Sequence, residues 1–159
     1  LDLAILVEEE AEERYREFAK IVGGRYEGDA GDAFLFMAEA EAKHGKQLSA
    51  KRKKLFPGKR RRVTRDMIYE VEAPDRGKPR VYMSARQAFE VALEQEVKAH
   101  DYFAEALKHV KDAKVKKLFE ELRAEEVQHQ EYLRKAMKGL PAGPDVEEEE
   151  ADAPGSDAG

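Results

Sequence analysis

The sequence predicts an all-α protein, an antiparallel four-helix bundle with one long crossover between helices two and three. Three observations point there. Four stretches repeat apolar side chains at the spacing of an amphipathic helix. Two of the three connections between them are short and one is long, so helices one and two, and helices three and four, are expected to be antiparallel neighbours. Across 159 residues, charged side chains make up 40% and hydrophobic ones 42%, with 11 Gly and 6 Pro. That mixture suits solvated amphipathic helices better than a β-rich domain.

Helix one is expected from Asp2 to Val22, with Ala4, Ala11, Tyr15, Phe18 and Val22 on one face. Gly23 and Gly24 stop it. Helix two begins near Asp29 and runs to about Phe56, carrying Phe34, Met37, Ala38, Leu48 and Leu55 inward until Pro57-Gly58 ends it. The segment 57–83 holds Pro74, Gly77 and Pro79 and reads as the crossover, with one short helical turn. Ser84-Ala85-Arg86-Gln87 matches a capping box that opens helix three, which continues to about His109. A break near Asp112 starts helix four, which ends at Gly139. Residues 1–139 thus form one domain. The tail 140–159, rich in Pro, Gly, Ala and acid, is expected to be disordered.

Several function classes drop out on composition. With no cysteine, a thiolate metal site and a cysteine nucleophile are excluded. No apolar run approaches the roughly 20 residues of a membrane helix, and the N-terminus lacks the order of a secretion signal. A cytoplasmic protein without a membrane role is the expectation. The net charge of −5 names no partner. The run KRKKLFPGKRRRVTR from Lys51 to Arg65 could attract phosphate, but no aromatic interleaving or groove-reading helix accompanies it. Nucleic-acid binding is therefore not expected. The run reads instead as a solvated helix end, or as a patch facing an acidic partner, the acidic tail or a neighbouring subunit.

The chemistry-bearing pattern is Glu-x-x-His, present as Glu41-Ala42-Lys43-His44 and again as Glu126-Val127-Gln128-His129. Residues three apart on a helix project side by side, so a carboxylate and an imidazole at that spacing can hold one metal ion. Glutamate is common in this chain, and spacing alone is weak evidence. Burial is stronger. On helix four, Val115, Phe119, Leu122, Glu126, His129, Leu133 and Met137 form one stripe, apolar except for the Glu and His. Helix two repeats this with Phe34, Met37, Glu41, His44 and Leu48. An acid on a core face costs several kcal/mol unless paired or metal-bound. Glu39, Glu121 and Glu131 fall on solvated faces instead.

Helix one offers Glu8 among Ala4, Ala11 and Tyr15, while Glu9 and Glu10 point towards other charged residues. Helix three offers Glu96 among Ala92, Leu93, Ala99, Phe103 and Leu107. Each half of the chain is then a helix with one inward Glu followed by a helix with Glu-x-x-His. Packed antiparallel, the halves bring four carboxylates and two imidazoles together at mid-bundle. His100 and His109 have no acid at the right spacing and read as a flank residue and a helix-end cation.

The stretches EEEAEERYREFA, FMAEAEAKHGKQL, ALEQEVKAHDYFAEAL and FEELRAEEVQHQEYL resemble the four helices of rubrerythrin-like ferritins. The resemblance spans the helices and leaves the crossover and tail largely unmatched. It implies a ferritin-like bundle whose ligands are Glu8, Glu41, His44, Glu96, Glu126 and His129, around two iron ions. Manganese or zinc also suits such donors. It implies that Glu41 and Glu126 bridge the pair, and that each ion takes one terminal Glu and one His. It further implies a di-iron oxidoreductase that reacts ferrous iron with O2 or peroxide. Such a protein is expected to work with an external electron donor and as a homo-oligomer. Tyr15 would hydrogen-bond a ligand carboxylate, or serve only as a core aromatic.

Three departures separate the chain from rubrerythrins proper. It has no cysteines for their small iron domain. It carries Ala99 where many have a seventh carboxylate, and Phe103 where the repeat would place a second tyrosine. A non-catalytic metal-binding or partner-docking protein is the alternative, and a bundle whose inward acids form salt bridges is a third.

Overall fold

A computed structural model describes residues 1–67 and 83–140. Among the described residues the helices are α1 (Asp2–Val22), α2 (Ala30–Leu55), α3 (Ala85–Leu107) and α4 (Ala113–Lys138), with a 3-10 turn at Arg65–Met67. α1 packs along α2 and α3 along α4, and the pairs face each other through α2 with α4 and α1 with α3. The rest of the expected crossover, 68–82, and the tail from 141 to 159 lie outside the described residues. Among those described, no helix is long and apolar enough to cross a membrane.

The helix ends follow local chemistry. Gly23 ends α1, and Gly24 turns the chain with φ 76°. A Cβ on Gly31 would lie 2.5 Å from the Gly23 Cα, so only glycine allows this loop to close so tightly. Asp29 caps α2 by accepting from the Gly31 and Arg25 amides, each at 2.8 Å. These amides, Arg25 foremost, hold its carboxyl below the usual range despite some desolvation. Ser84 and Gln87 form the expected capping box. α3 ends at Leu107 rather than His109, because the Lys108 and His109 amides bond carbonyls three residues back, at 3.1 and 3.0 Å. That tightened turn leads to Asp112, whose side chain accepts from Lys114 and Val115 and opens α4.

The core divides into two apolar clusters. At one end, Tyr15, Phe18, Phe34, Met37, Phe89 and Leu133 pack together, with Phe34 stacked on Phe89 at 4.6 Å. At the other, Ala4, Ile5, Leu48, Phe103, Val115, Phe119 and Leu122 do the same. Each large side chain buried here contributes about 1.5–3 kcal/mol. The start of α1 shares its cluster with the end of α2, the end of α3 and the start of α4, which fixes the antiparallel order. The crossover therefore begins beside one cluster, after Leu55, and ends beside the other, at Met83.

Its described part runs along α1 and uses much of the basic run. Arg52 holds Asp2, and the Arg62 amide donates to the same carboxylate. Arg61 makes a two-point contact with Glu9 at 2.8 Å. Arg65 reaches Glu10 and Glu13. Arg52 in the last turn of α2, and Arg61 and Arg65 beyond it, thus pair with acids of α1, while Lys53 and Lys54 remain an exposed helix end. Glu10 points away from the bundle centre, as read from the sequence, but is buried beneath Arg65.

Candidate metal centre

Between the two apolar clusters lies a polar layer to which every helix contributes. Glu8 of α1, Glu41 and His44 of α2, Glu96 of α3, and Glu126 and His129 of α4 are all buried. Each lies on the core stripe of its helix, at a multiple of three or four residues from apolar neighbours. Glu39, Glu94, Glu121 and Glu131 are exposed. His100 pairs with Asp101 at 3.0 Å and His109 is on the surface; neither approaches the layer.

The six residues form two overlapping donor sets. Glu8, Glu41, His44 and Glu126 present ligand atoms within 4.8 Å of one another, and so do Glu41, Glu96, Glu126 and His129. Glu41 and Glu126 belong to both sets. The His44 Nδ1 lies 3.1 Å from Glu41 and 3.3 Å from Glu8. The His129 Nδ1 lies 3.0 Å from both Glu96 and Glu41, and 3.4 Å from Glu126. The two imidazoles stack at 5.3 Å.

Tyr15 donates from its hydroxyl to Glu96 Oε1. Of its two possible roles, partner of a site carboxylate or plain core aromatic, it fills both, since its ring also stacks on Phe34 at 6.1 Å. Burial, and then the Glu96 and Glu41 charges, push its hydroxyl well above the usual tyrosine range.

One participant escaped the sequence reading. Glu125, half-buried on α4, lies with Oε2 2.7 Å from His44 Nε2. Nothing in the sequence separates it from the solvated acids around it, because only the placement of α4 against α2 brings it to His44.

The electrostatics show what the layer lacks. Burial opposes the charge on Glu41, yet the facing His129, His44 and Glu8 together outweigh it and hold Glu41 well below the usual carboxylate range. Burial first, and then repulsion by Glu41, pushes Glu8 well above that range. Burial does the same to Glu126, partly offset by His129 and reinforced by Glu41 and Glu96. Burial disfavours charge on both imidazoles, but the facing carboxylates raise them, chiefly Glu41 for His44 and Glu126 for His129. These shifts favour protons on Glu8, Glu126 and the two imidazoles beside a charged Glu41. Even so, Glu8 Oε1, Glu41 Oε1 and Glu126 Oε1 are buried with no hydrogen-bond partner. Glu41 Oε1 lies 3.0 Å from His129 Nδ1, but off hydrogen-bond direction, so that contact is Coulombic only. Orphaned acceptors of this kind each cost about 1–3 kcal/mol. Oxygen and imidazole donors in excess of protein partners are what a divalent pair requires, and four carboxylates against two divalent charges would balance.

Four helices that donate carboxylates and imidazoles to one buried mid-bundle layer define a ferritin-like carboxylate bundle. Residues 1–137 match the family model described as Rubrerythrin, and the chain belongs to the rubrerythrin family. That family typically binds di-iron centres, and its members are generally oxidoreductases. Two solved structures share the fold. An uncharacterised conserved protein from Magnetospirillum magnetotacticum MS-1 superposes with a TM-score of 0.73 at 25% identity, over 90% of this chain and 94% of that one. A hypothetical protein from Pyrococcus furiosus gives 0.66 at 23% identity, over 86% and 85%. No curated protein matches the chain significantly. The 159 residues contain no cysteine.

Proposed function

We propose that this protein is a di-iron oxidoreductase that oxidises ferrous iron with O2 or peroxide, in peroxide removal or iron handling. The observation that carries the reading is the pair of overlapping donor sets sharing Glu41 and Glu126. In this reading Glu41 and Glu126 would be shared by the two ions, with Glu8 and His44 completing one donor set and Glu96 and His129 the other. Iron is the first choice; manganese and zinc fit the same donor chemistry.

When bound, an iron pair supplies two electrons at once, so that peroxide and two protons become two waters as two ferrous ions become ferric. The chain's own residues set the conditions. Burial and the facing groups lower Glu41 and raise Glu8, Glu126 and both imidazoles, so a divalent pair taken up there would displace protons. The apolar clusters on either side keep bulk water from the layer. Tyr15 fixes the Glu96 carboxylate in one orientation. With Ala99 in place of a seventh acid, the donor set is the six residues named. Electrons beyond those of ferrous iron would come from an external donor, in a cytoplasmic, homo-oligomeric protein.

The test is metal content by mass spectrometry, followed by peroxide and O2 consumption after ferrous iron is added. Two ions per chain, with consumption lost in Glu126→Ala, support the reading. Equal turnover in that variant refutes it. Bound metal without turnover in the native protein would favour the non-catalytic alternative.

A further inference from the structure

The two halves of the bundle repeat one pattern, but the residues around the donors do not repeat. Glu8 corresponds to Glu96, Glu41 to Glu126 and His44 to His129. By the same register Tyr15 corresponds to Phe103, and Glu125, just before Glu126, corresponds to Ala40. Tyr15 gives Glu96 an outer hydrogen bond. Phe103, fully buried in the matching place, gives Glu8 none, and Glu8 Oε1 is left without a partner. For the imidazoles the asymmetry is reversed. His44 Nε2 meets Glu125 at 2.7 Å, whereas among the described residues no acceptor faces His129 Nε2.

We propose that these outer contacts make the two half-sites unequal, with Glu125 positioning His44 so that the Glu8/His44 half-site takes the first divalent ion. The inference rests on the metal-centre reading above. Its chemistry is that of a hydrogen-bonded imidazole ligand. An Nε2–H donated to Glu125 leaves the lone pair on Nδ1, the atom that faces Glu8 and Glu41, and a carboxylate acceptor strengthens that nitrogen as a donor. Glu8 has no hydrogen bond from outside the donor set, and its Oε1 is free to face the same ion. In the other half-site the Tyr15 hydroxyl occupies one Glu96 oxygen, and His129 has no outer acceptor to fix its ring. One half-site thus combines the stronger imidazole with the freer carboxylate, and the other has neither advantage.

Glu125 is half-exposed, so Glu125→Ala is compatible with the fold, which circular dichroism would check. Anaerobic calorimetric titration of the metal-free full-length chain with Mn2+ is expected to show two unequal steps. In Glu125→Ala the first step should weaken about 10–100-fold while the second changes little. A second measurement reads the contact itself. In Zn2+-loaded native protein the His44 Nε2 proton should exchange with water more slowly than that of His129, and in Glu125→Ala the difference should vanish. Ala40→Glu should strengthen the second step by supplying the missing acceptor. Two equal steps in the native protein, or a Glu125→Ala variant that weakens both steps alike, only the second or neither, would overturn the proposal. A native chain that binds no metal overturns the metal-centre reading itself and this inference with it.

Discussion

Glu126→Leu should stabilise the metal-free protein while removing its response to metal. Glu126 is buried, its Oε1 has no hydrogen-bond partner, and burial with repulsion from Glu41 and Glu96 pushes it towards the neutral form. An unsatisfied buried acceptor costs about 1–3 kcal/mol, and hydrophobic replacement of buried ionic groups is often neutral or stabilising. Leucine would continue the α4 stripe between Leu122 and Leu133. His129 would keep its contacts with Glu41 and Glu96, both at 3.0 Å, so no new orphan is created. The expected gain is about 1–3 kcal/mol, and for a chain of this size each kcal/mol raises the melting temperature by about 2–4 °C. Thermal unfolding in chelator should therefore put the variant above the native protein. With Mn2+ at about 1,000 times its Kd the order should reverse, since the native protein gains about 4.1 kcal/mol and the variant lacks a carboxylate common to both donor sets. A chelated variant that melts below the native protein would refute the claim that this carboxylate is a stability cost. Full metal stabilisation in the variant would refute its role as a shared ligand.

Three further outcomes are expected. Tyr15→Phe should retain two-metal binding but lose about 0.5–1.5 kcal/mol of stability with its hydrogen bond to Glu96, read by denaturant unfolding; loss of both ions would contradict a purely orienting role. Gly31→Ala should cost about 1–3 kcal/mol, because its Cβ would meet the Gly23 Cα at 2.5 Å, and a melting temperature equal to that of the native protein would refute this contact. The metal-free protein should lose stability as pH rises from about 5 to about 8. His44 and His129 are raised in the folded state, so their contribution is complete below about 6.5 and falls above it. Glu8 and Glu126, also raised, add a term that declines above about 4.5. Glu41 is lowered and works the other way, its contribution being lost only below about 4.5. Metal displaces the same protons, so stabilisation by added Mn2+ should grow over the same rise in pH. Identical slopes with and without metal would refute the link.

The helices and the inward acids were legible from the sequence because both depend on periodicity. Asp29, Ser84 and Asp112 announce helix starts through chemistry confined to three or four neighbouring residues, and the structure places each at a helix cap. Glu126 and His129 stand out because every other member of their stripe is apolar, and a helix cannot bury that stripe without burying them. The end of α3 was less legible, since Lys108 and His109 are set by how tightly the chain must turn towards Asp112.

What the sequence by itself determined was which residues face inward, together with the repeat that makes the two halves alike. Only the tertiary structure decided which atoms meet. It paired Tyr15 with Glu96 and Glu125 with His44, each across 81 positions of chain. It also spent the arginines after Lys51 on the acids of α1. The physical reason is that inward facing is a property of one helix and its period. A contact between helices depends on axial offset and rotation, which are set by the packing of apolar clusters far from the residues that make the contact.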